Sequence, residues 1–198
     1  MSFLKIFYPD EYRDSTYSLD FQKYYDMGYR GILFDIDNTL VPHGAPATKE
    51  SVELFEKLRS IGFKTCLISN NQKPRVTPFA KAMKTEYIYN AHKPSRKNYR
   101  KAFDVMGTKQ EETMFVGDQI FTDVFGAKRV GMYSILVKPI HPKEEIQIVL
   151  KRYLEKIVLK SYRRYKNKNI KLWEIFFFDF FNWHFFSGPD FKGFSTLI

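Results

Sequence analysis

The apolar run Gly31-Ile32-Leu33-Phe34 ends directly in Asp35-Ile36-Asp37-Asn38-Thr39. Such a run, without polar alternation, reads as a buried strand of the kind found inside parallel sheets. It terminates in two carboxylates two residues apart. A carboxylate at the C-terminal tip of such a strand sits where open α/β sheets bind ligands. One carboxylate can attack phosphorus and the other can move protons, which together make a two-step phosphoryl-transfer device.

Three further pieces follow in order. Lys64-Thr65-Cys66-Leu67-Ile68 is a second buried strand and ends in Ser69-Asn70-Asn71. A small hydroxyl and backbone N–H groups at a strand tip suit a phosphoryl oxygen. Lys93 precedes Pro94, where the chain is not yet helical. Its ammonium is a point charge that can keep a nucleophilic carboxylate ionised and pair with phosphate. Thr113-Met114-Phe115-Val116 is another strand, followed by Gly117-Asp118-Gln119-Ile120-Phe121-Thr122-Asp123. Gly117 is read as the site of a sharp backbone turn. Asp118 and Asp123 add hard oxygens beside Asp35, which is a Mg²⁺ environment. Each piece also has a plainer reading: a turn at Ser69-Asn70, a solvated loop lysine at Lys93, and an N-cap at Asp123. His43 and His92 flank the motifs as rim residues and receive no metal role.

This ordered set, over residues 31–137, resembles the haloacid dehalogenase (HAD) superfamily. Within it, the spacing and the run from Gly117 to Met132 are similar to the YqeG-type, subfamily IIIA phosphatases, which are themselves similar to phosphatidylglycerophosphate phosphatases of fungi and plants. The resemblance implies a Mg²⁺-dependent phosphomonoesterase that passes through a phosphoaspartate. Carried onto this chain, it makes Asp35 the nucleophile and Asp37 the acid and base. Mg²⁺ is expected on the carboxylates of Asp35 and Asp118 and on the main-chain carbonyl of Asp37, with Asp123 supporting the metal shell. Ser69, the N–H of Asn70 and Lys93 are expected to hold the phosphoryl oxygens, and Thr39 to brace the loop. The acid at position 37 argues against a dehalogenase, whose halide leaves unprotonated.

The pattern places strands at 31–34, 64–68, 87–89, 113–116 and 133–137. Helices are expected at 18–27, 48–60, 75–84, 95–106 and 122–129, and a long one from about 142. Alternation of this kind predicts an α/β fold, a HAD-like Rossmannoid parallel sheet with helices on both faces. The crossover rule brings the tips of the first and fourth of these strands together at a switch point, where Asp35 and Asp118 meet. The gaps from Asp35 to Ser69 and from Ser69 to Lys93 hold about one helix each, so the fold is expected to be capless and the site open to bulky substrates. Three segments are expected: an aromatic N-terminal segment packing on the core (1–30), the phosphatase domain (31–150), and a basic helix with an aromatic tail (151–198).

The chain has 198 residues, enough for one domain with a real core. The single cysteine, Cys66, permits no internal disulfide. No apolar run is long enough to span a bilayer and no signal-peptide pattern opens the chain, so a cytoplasmic location is expected, peripheral to the inner face of a membrane. A net charge of +10 points to an anionic partner. The basic residues from Lys151 to Lys171, then Trp173 to Phe186, describe an interfacial anchor for anionic lipid, against the alternatives of a tail packed on the body or one without a role. Three functions are weighed: hydrolysis of phosphatidylglycerophosphate, a phosphatase for nucleotides or nucleic-acid ends, and a non-catalytic binding protein. No specific nucleic-acid recognition is expected, because no recognition motif appears.

Overall fold

The computed structural model describes residues 3–141 and 152–168. Two compact units divide at residue 158. The first contains a six-stranded, wholly parallel sheet: β1 (Glu11–Arg13), β2 (Gly31–Phe34), β3 (Lys64–Ile68), β4 (Glu86–Ile88), β5 (Thr113–Gly117) and β6 (Tyr133–Val137). Its order is β1-β6-β5-β2-β3-β4. Chain direction across the sheet reverses between β2 and β5, so their C-terminal tips flank the crevice where such sheets bind ligands. Five helices connect the strands: α1 (Phe21–Asp26), α2 (Lys49–Ile61), α3 (Lys73–Met83), α4 (Arg96–Met106) and α5 (Phe125–Arg129).

Alternation along the strands sorts the core into two layers. Ile32, Phe34, Leu67, Met114 and Val116 pack with Phe21, Phe55, Leu58, Phe79 and Met83 of α1, α2 and α3. Leu33, Cys66, Ile68 and Phe115 pack on the other face with Tyr99, Ala102 and Ala127 of α4 and α5. The sheet is thus covered on both sides, which is why β2 carries no polar residue. Single helices span β2–β3 and β3–β4, so neither connection holds a separate cap. Gly62 and Gly107 close α2 and α4 in the left-handed conformation, with φ of 112° and 64°. Cys66 is buried, and burial pushes its thiol up to about 12.

Two elements differ from the sequence expectation. The strand β1 lies within the aromatic N-terminal segment, ahead of the helix expected there at 18–27, where no strand was expected. It pairs with β6, where Asp10 accepts from the Ser134 N–H and hydroxyl at 2.8 and 2.9 Å. The run Glu11-Tyr12-Arg13 is charged at both ends and has no buried residue, so the pattern could not announce it. The helix expected at 122–129 begins only at Phe125 and is preceded by a π-helical turn, Ile120–Val124. The same N-terminal segment braces the loop after β2. The buried Thr16 hydroxyl donates to the Thr39 carbonyl at 2.8 Å, and Tyr17 donates to the Leu40 carbonyl at 2.5 Å.

Residues 152–158 are helical and belong to the first unit; residues 159–168, in the second, are also helical. The start of the long helix near 142 and the aromatic cluster from Trp173 to Phe186 lie outside the described residues. Among those described, no helix is long and apolar enough to cross a membrane.

Candidate active site

Asp35 is the first residue beyond β2, and its N–H still bonds the Val116 carbonyl at 3.0 Å, so the sheet fixes its backbone. The chain then turns tightly: the Ile36 carbonyl accepts from the N–H of Leu40 at 2.9 Å, and Asn38 takes a φ of 61°. Asn tolerates this left-handed conformation better than most residues. Asp35 Oδ1 accepts from Lys93 Nζ at 2.7 Å, while Oδ2 has no donor among the described residues. That leaves one carboxylate oxygen for a reacting atom.

Lys93 Nζ also reaches Asp123 Oδ1 at 2.8 Å, and its side chain is only 4% exposed. It is not a solvated loop lysine. Asn70 brackets its backbone, accepting from the Lys93 N–H at 2.6 Å and donating to the Lys93 carbonyl at 3.4 Å. The Asn70 side chain therefore aims Lys93, while its own N–H has no acceptor among the described residues. Ser69 is buried at the tip of β3, and its hydroxyl accepts from the Asn71 N–H at 3.1 Å. The turn reading of Ser69 therefore coexists with a place in the crevice.

Asp123 does not cap the helix that follows it. Its Oδ2 accepts from the Gln119 N–H at 3.1 Å, across the π turn. This also corrects the reading of Gly117, whose φ is not positive. A Cβ there would lie 2.5 Å from Asp123 Oδ2 and 2.7 Å from the Phe115 ring, so glycine is needed for close approach. Asp118 is held at both oxygens. Thr39 Oγ1, expected to brace its own loop through a backbone bond, donates instead to Asp118 Oδ1 at 3.3 Å, and the Arg152 guanidinium bonds Oδ2.

The carboxylates of Asp35, Asp118 and Asp123 are all buried, with ligand atoms within 4.8 Å of one another. Burial pushes Asp35 up to about 7, opposed by Lys93 and reinforced by the charges of Asp123 and Asp37. Burial raises Asp118 well above the usual carboxylate range, with Asp123 and Asp35 adding to it and Arg152 opposing. Burial alone would lower Lys93, but Asp123 and Asp35 outweigh it and hold the ammonium charged. Three crowded carboxylates against Lys93 and Arg152 leave excess negative charge in an all-oxygen donor set. That set fits a hard divalent cation such as Mg²⁺. Asp123 Oδ1 is taken by the Lys93 ammonium at 2.8 Å and Oδ2 by the Gln119 N–H at 3.1 Å, whereas Asp118 Oδ1 has only the Thr39 hydroxyl at 3.3 Å, so Asp118 is better placed to ligate such a cation and Asp123 to support it.

Asp37 stands apart, at the rim. It accepts from the Gly44 N–H at 2.8 Å, Asn71 Nδ2 at 2.6 Å and Arg75 at 2.9 Å. Every contact treats it as an acceptor, which is the state of a base. His43 and His92 are exposed and join no metal-binding group among the described residues.

Sequence reasoning missed Asn71, Arg75, Arg152 and Glu155. Arg152 had been counted among the cations of an anionic-lipid anchor; instead it lies against Asp118 with its side chain 17% exposed. No local signal distinguishes it from its basic neighbours.

A family model for haloacid dehalogenase-like hydrolases matches residues 43–131, which include Ser69, Lys93, Asp118 and Asp123. Probable phosphatase YqeG of Bacillus subtilis is 34% identical over 161 residues, covering 81% of this chain and 94% of that protein. Phosphatidylglycerophosphate phosphatase 1, chloroplastic/mitochondrial, of Arabidopsis thaliana is 27% identical over 170 residues, covering 77% of this chain and 46% of that protein. Glyceraldehyde 3-phosphate phosphatase of Pyrococcus furiosus is 33% identical over 66 residues, covering 33% of this chain and 27% of that protein.

Proposed function

Because the chain belongs to the haloacid dehalogenase-like hydrolases and is a YqeG-type phosphatase of that family, we propose that it hydrolyses a phosphomonoester through an aspartyl-phosphate on Asp35. The observation that carries this is the bridge Asp35–Lys93–Asp123, which leaves Asp35 Oδ2 open beside Asp118.

In this reading Asp35 Oδ2 attacks phosphorus in line with the leaving oxygen. Lys93 holds Asp35 in place and, with Ser69 and the Asn70 N–H, faces the phosphoryl oxygens. Asp37, in its protonated form, gives a proton to the departing alkoxide. With the proton on Oδ2, Oδ1 can go on accepting from Gly44 and Arg75, and the 2.6 Å contact from Asn71 to Oδ2 is the one that must give way at that moment. Asp37 then takes a proton from the water that attacks the phosphoaspartate, the role its present contacts suit. Asp35, Asp118 and the Asp37 carbonyl would hold Mg²⁺, which when bound neutralises negative charge on the phosphoryl oxygens.

The substrate proposed is phosphatidylglycerophosphate, giving phosphatidylglycerol. The Arabidopsis relative, named as a phosphatidylglycerophosphate phosphatase, supports it, as does the site without an inserted cap. Exposed Tyr153, Leu154 and Ile157 beside Lys156 support contact with an anionic leaflet. The second reading, a phosphatase for nucleotides or nucleic-acid ends, draws on the charge of +10. A competition assay with Mg²⁺ decides: phosphatidylglycerophosphate in vesicles against 5′-phosphorylated DNA and RNA. Preference for the lipid is expected, and preference for nucleic-acid ends overturns the lipid assignment.

A further inference from the structure

The helical segment 152–158 brings an ion pair to the loop that carries Asp118. Arg152 bonds Asp118 Oδ2, donates to the Asp118 main-chain carbonyl at 2.7 Å, and meets Glu155 Oε2 at 2.8 Å. Glu155 Oε1 accepts the Ile120 N–H at 2.7 Å. Ile120 opens the π turn, and the first N–H groups of any helical turn lack a partner within it. The pair thus satisfies one backbone group on each side of Gln119 and one carboxylate oxygen between them. With side chains 17% and 6% exposed, water competes little for these bonds.

We propose that Arg152 and Glu155 are positioning residues that fix the Asp118 carboxylate in the orientation a divalent cation requires. This rests on the reading of Asp118 as a metal ligand. Thr39 and Arg152 hold the two oxygens of Asp118 from different elements, so the carboxylate has one rotamer before any cation arrives. Pre-set orientation of this kind lowers the cost of binding. The planar guanidinium reaches the carboxylate, the carbonyl and Glu155 together, which a lysine ammonium on one flexible stem cannot reproduce. As a neutral pair, Arg152 and Glu155 orient Asp118 without adding net positive charge that would repel the cation.

The test uses the full chain stripped with EDTA, with Mn²⁺ binding followed by electron paramagnetic resonance and Mg²⁺ as competitor. The double variant Arg152→Gln/Glu155→Gln removes the pair with no net change of charge. It is expected to bind Mn²⁺ about 10–100-fold more weakly than wild type. Arg152→Lys keeps the charge and is expected to lose affinity too, by less. Mn²⁺ affinity within about twofold of wild type in the folded double variant overturns the inference. So does a fall in urea midpoint with metal affinity unchanged, which assigns the pair to scaffolding alone. If the double variant does not fold, Arg152→Lys decides by the same criterion. Wild-type protein that binds no Mn²⁺ removes Asp118 as a ligand, a separate failure that ends the underlying reading as well.

Discussion

Asp35→Asn is expected to abolish phosphatase activity and to make the metal-free protein more stable at neutral and alkaline pH. The amide has the shape of the carboxylate and can still accept from Lys93 at the position of Oδ1, but it cannot attack phosphorus. Burial holds the Asp35 carboxyl near 7 in the native state, against 3.8 for an unperturbed group. Below pH 3.8 the carboxyl is protonated in both folded and unfolded chains, and it adds no pH dependence. Between 3.8 and about 7 the unfolded chain has released the proton and the native one has not, so native stability falls as pH rises. Above about 7 the full cost is present. Roughly three pKa units at 1.36 kcal/mol each amount to about 4 kcal/mol, an upper figure because the site relaxes around a charge. Asparagine has no proton to release and escapes this cost. Urea unfolding of wild type and variant in EDTA, from pH 4 to 8, measures the difference directly. It is expected to start near zero and grow with pH to a few kcal/mol. Saturating Mg²⁺ then stabilises wild type, by about 2.7 kcal/mol at a hundredfold excess over Kd, and the variant by less. A variant no more stable than wild type at pH 8 without metal refutes the reasoning, and near-normal turnover by purified Asp35→Asn protein removes Asp35 as nucleophile.

Three other outcomes follow from particular contacts. Asp37→Asn is expected to slow hydrolysis of alkyl phosphates by about 10²–10⁴-fold and of aryl phosphates by less, since only a basic leaving oxygen needs the proton; equal losses on both would show that Asp37 is not the acid. Thr16→Val leaves the Thr39 carbonyl without its 2.8 Å partner in a fully buried place, and a loss of about 1–3 kcal/mol in urea unfolding is expected. Gly126→Ala would set a Cβ 2.2 Å from the Tyr99 hydroxyl, which itself is anchored to the Thr122 carbonyl at 2.9 Å; about 1–3 kcal/mol of destabilisation is expected, and an unchanged thermal midpoint would mean that α4 and α5 separate freely.

The sequence by itself determined the sheet and the address of the site. The run from Gly31 to Phe34 has no polar face because helices cover both sides of β2, and the same logic holds for β3 and β5. Local burial writes itself into local residue pattern, so five of the six strands and the place of Asp35 and Asp118 at adjacent tips were legible. Glycines after α2 and α4 marked their ends for an equally local reason, the left-handed backbone each adopts. What only the tertiary structure decided is pairing at a distance. Lys93 was expected beside the nucleophile, but only the fold shows that it also bridges to Asp123, 30 residues away, and that Arg152 meets Asp118 from 34. A lysine in a loop and an arginine in a basic run look the same whether they face water or a buried carboxylate. Their burial depends on how loops settle over the strand tips, and no short stretch of sequence encodes that. The π turn belongs to the same class: its reason is the Asp123 carboxylate folding back onto Gln119 above a glycine that leaves it room.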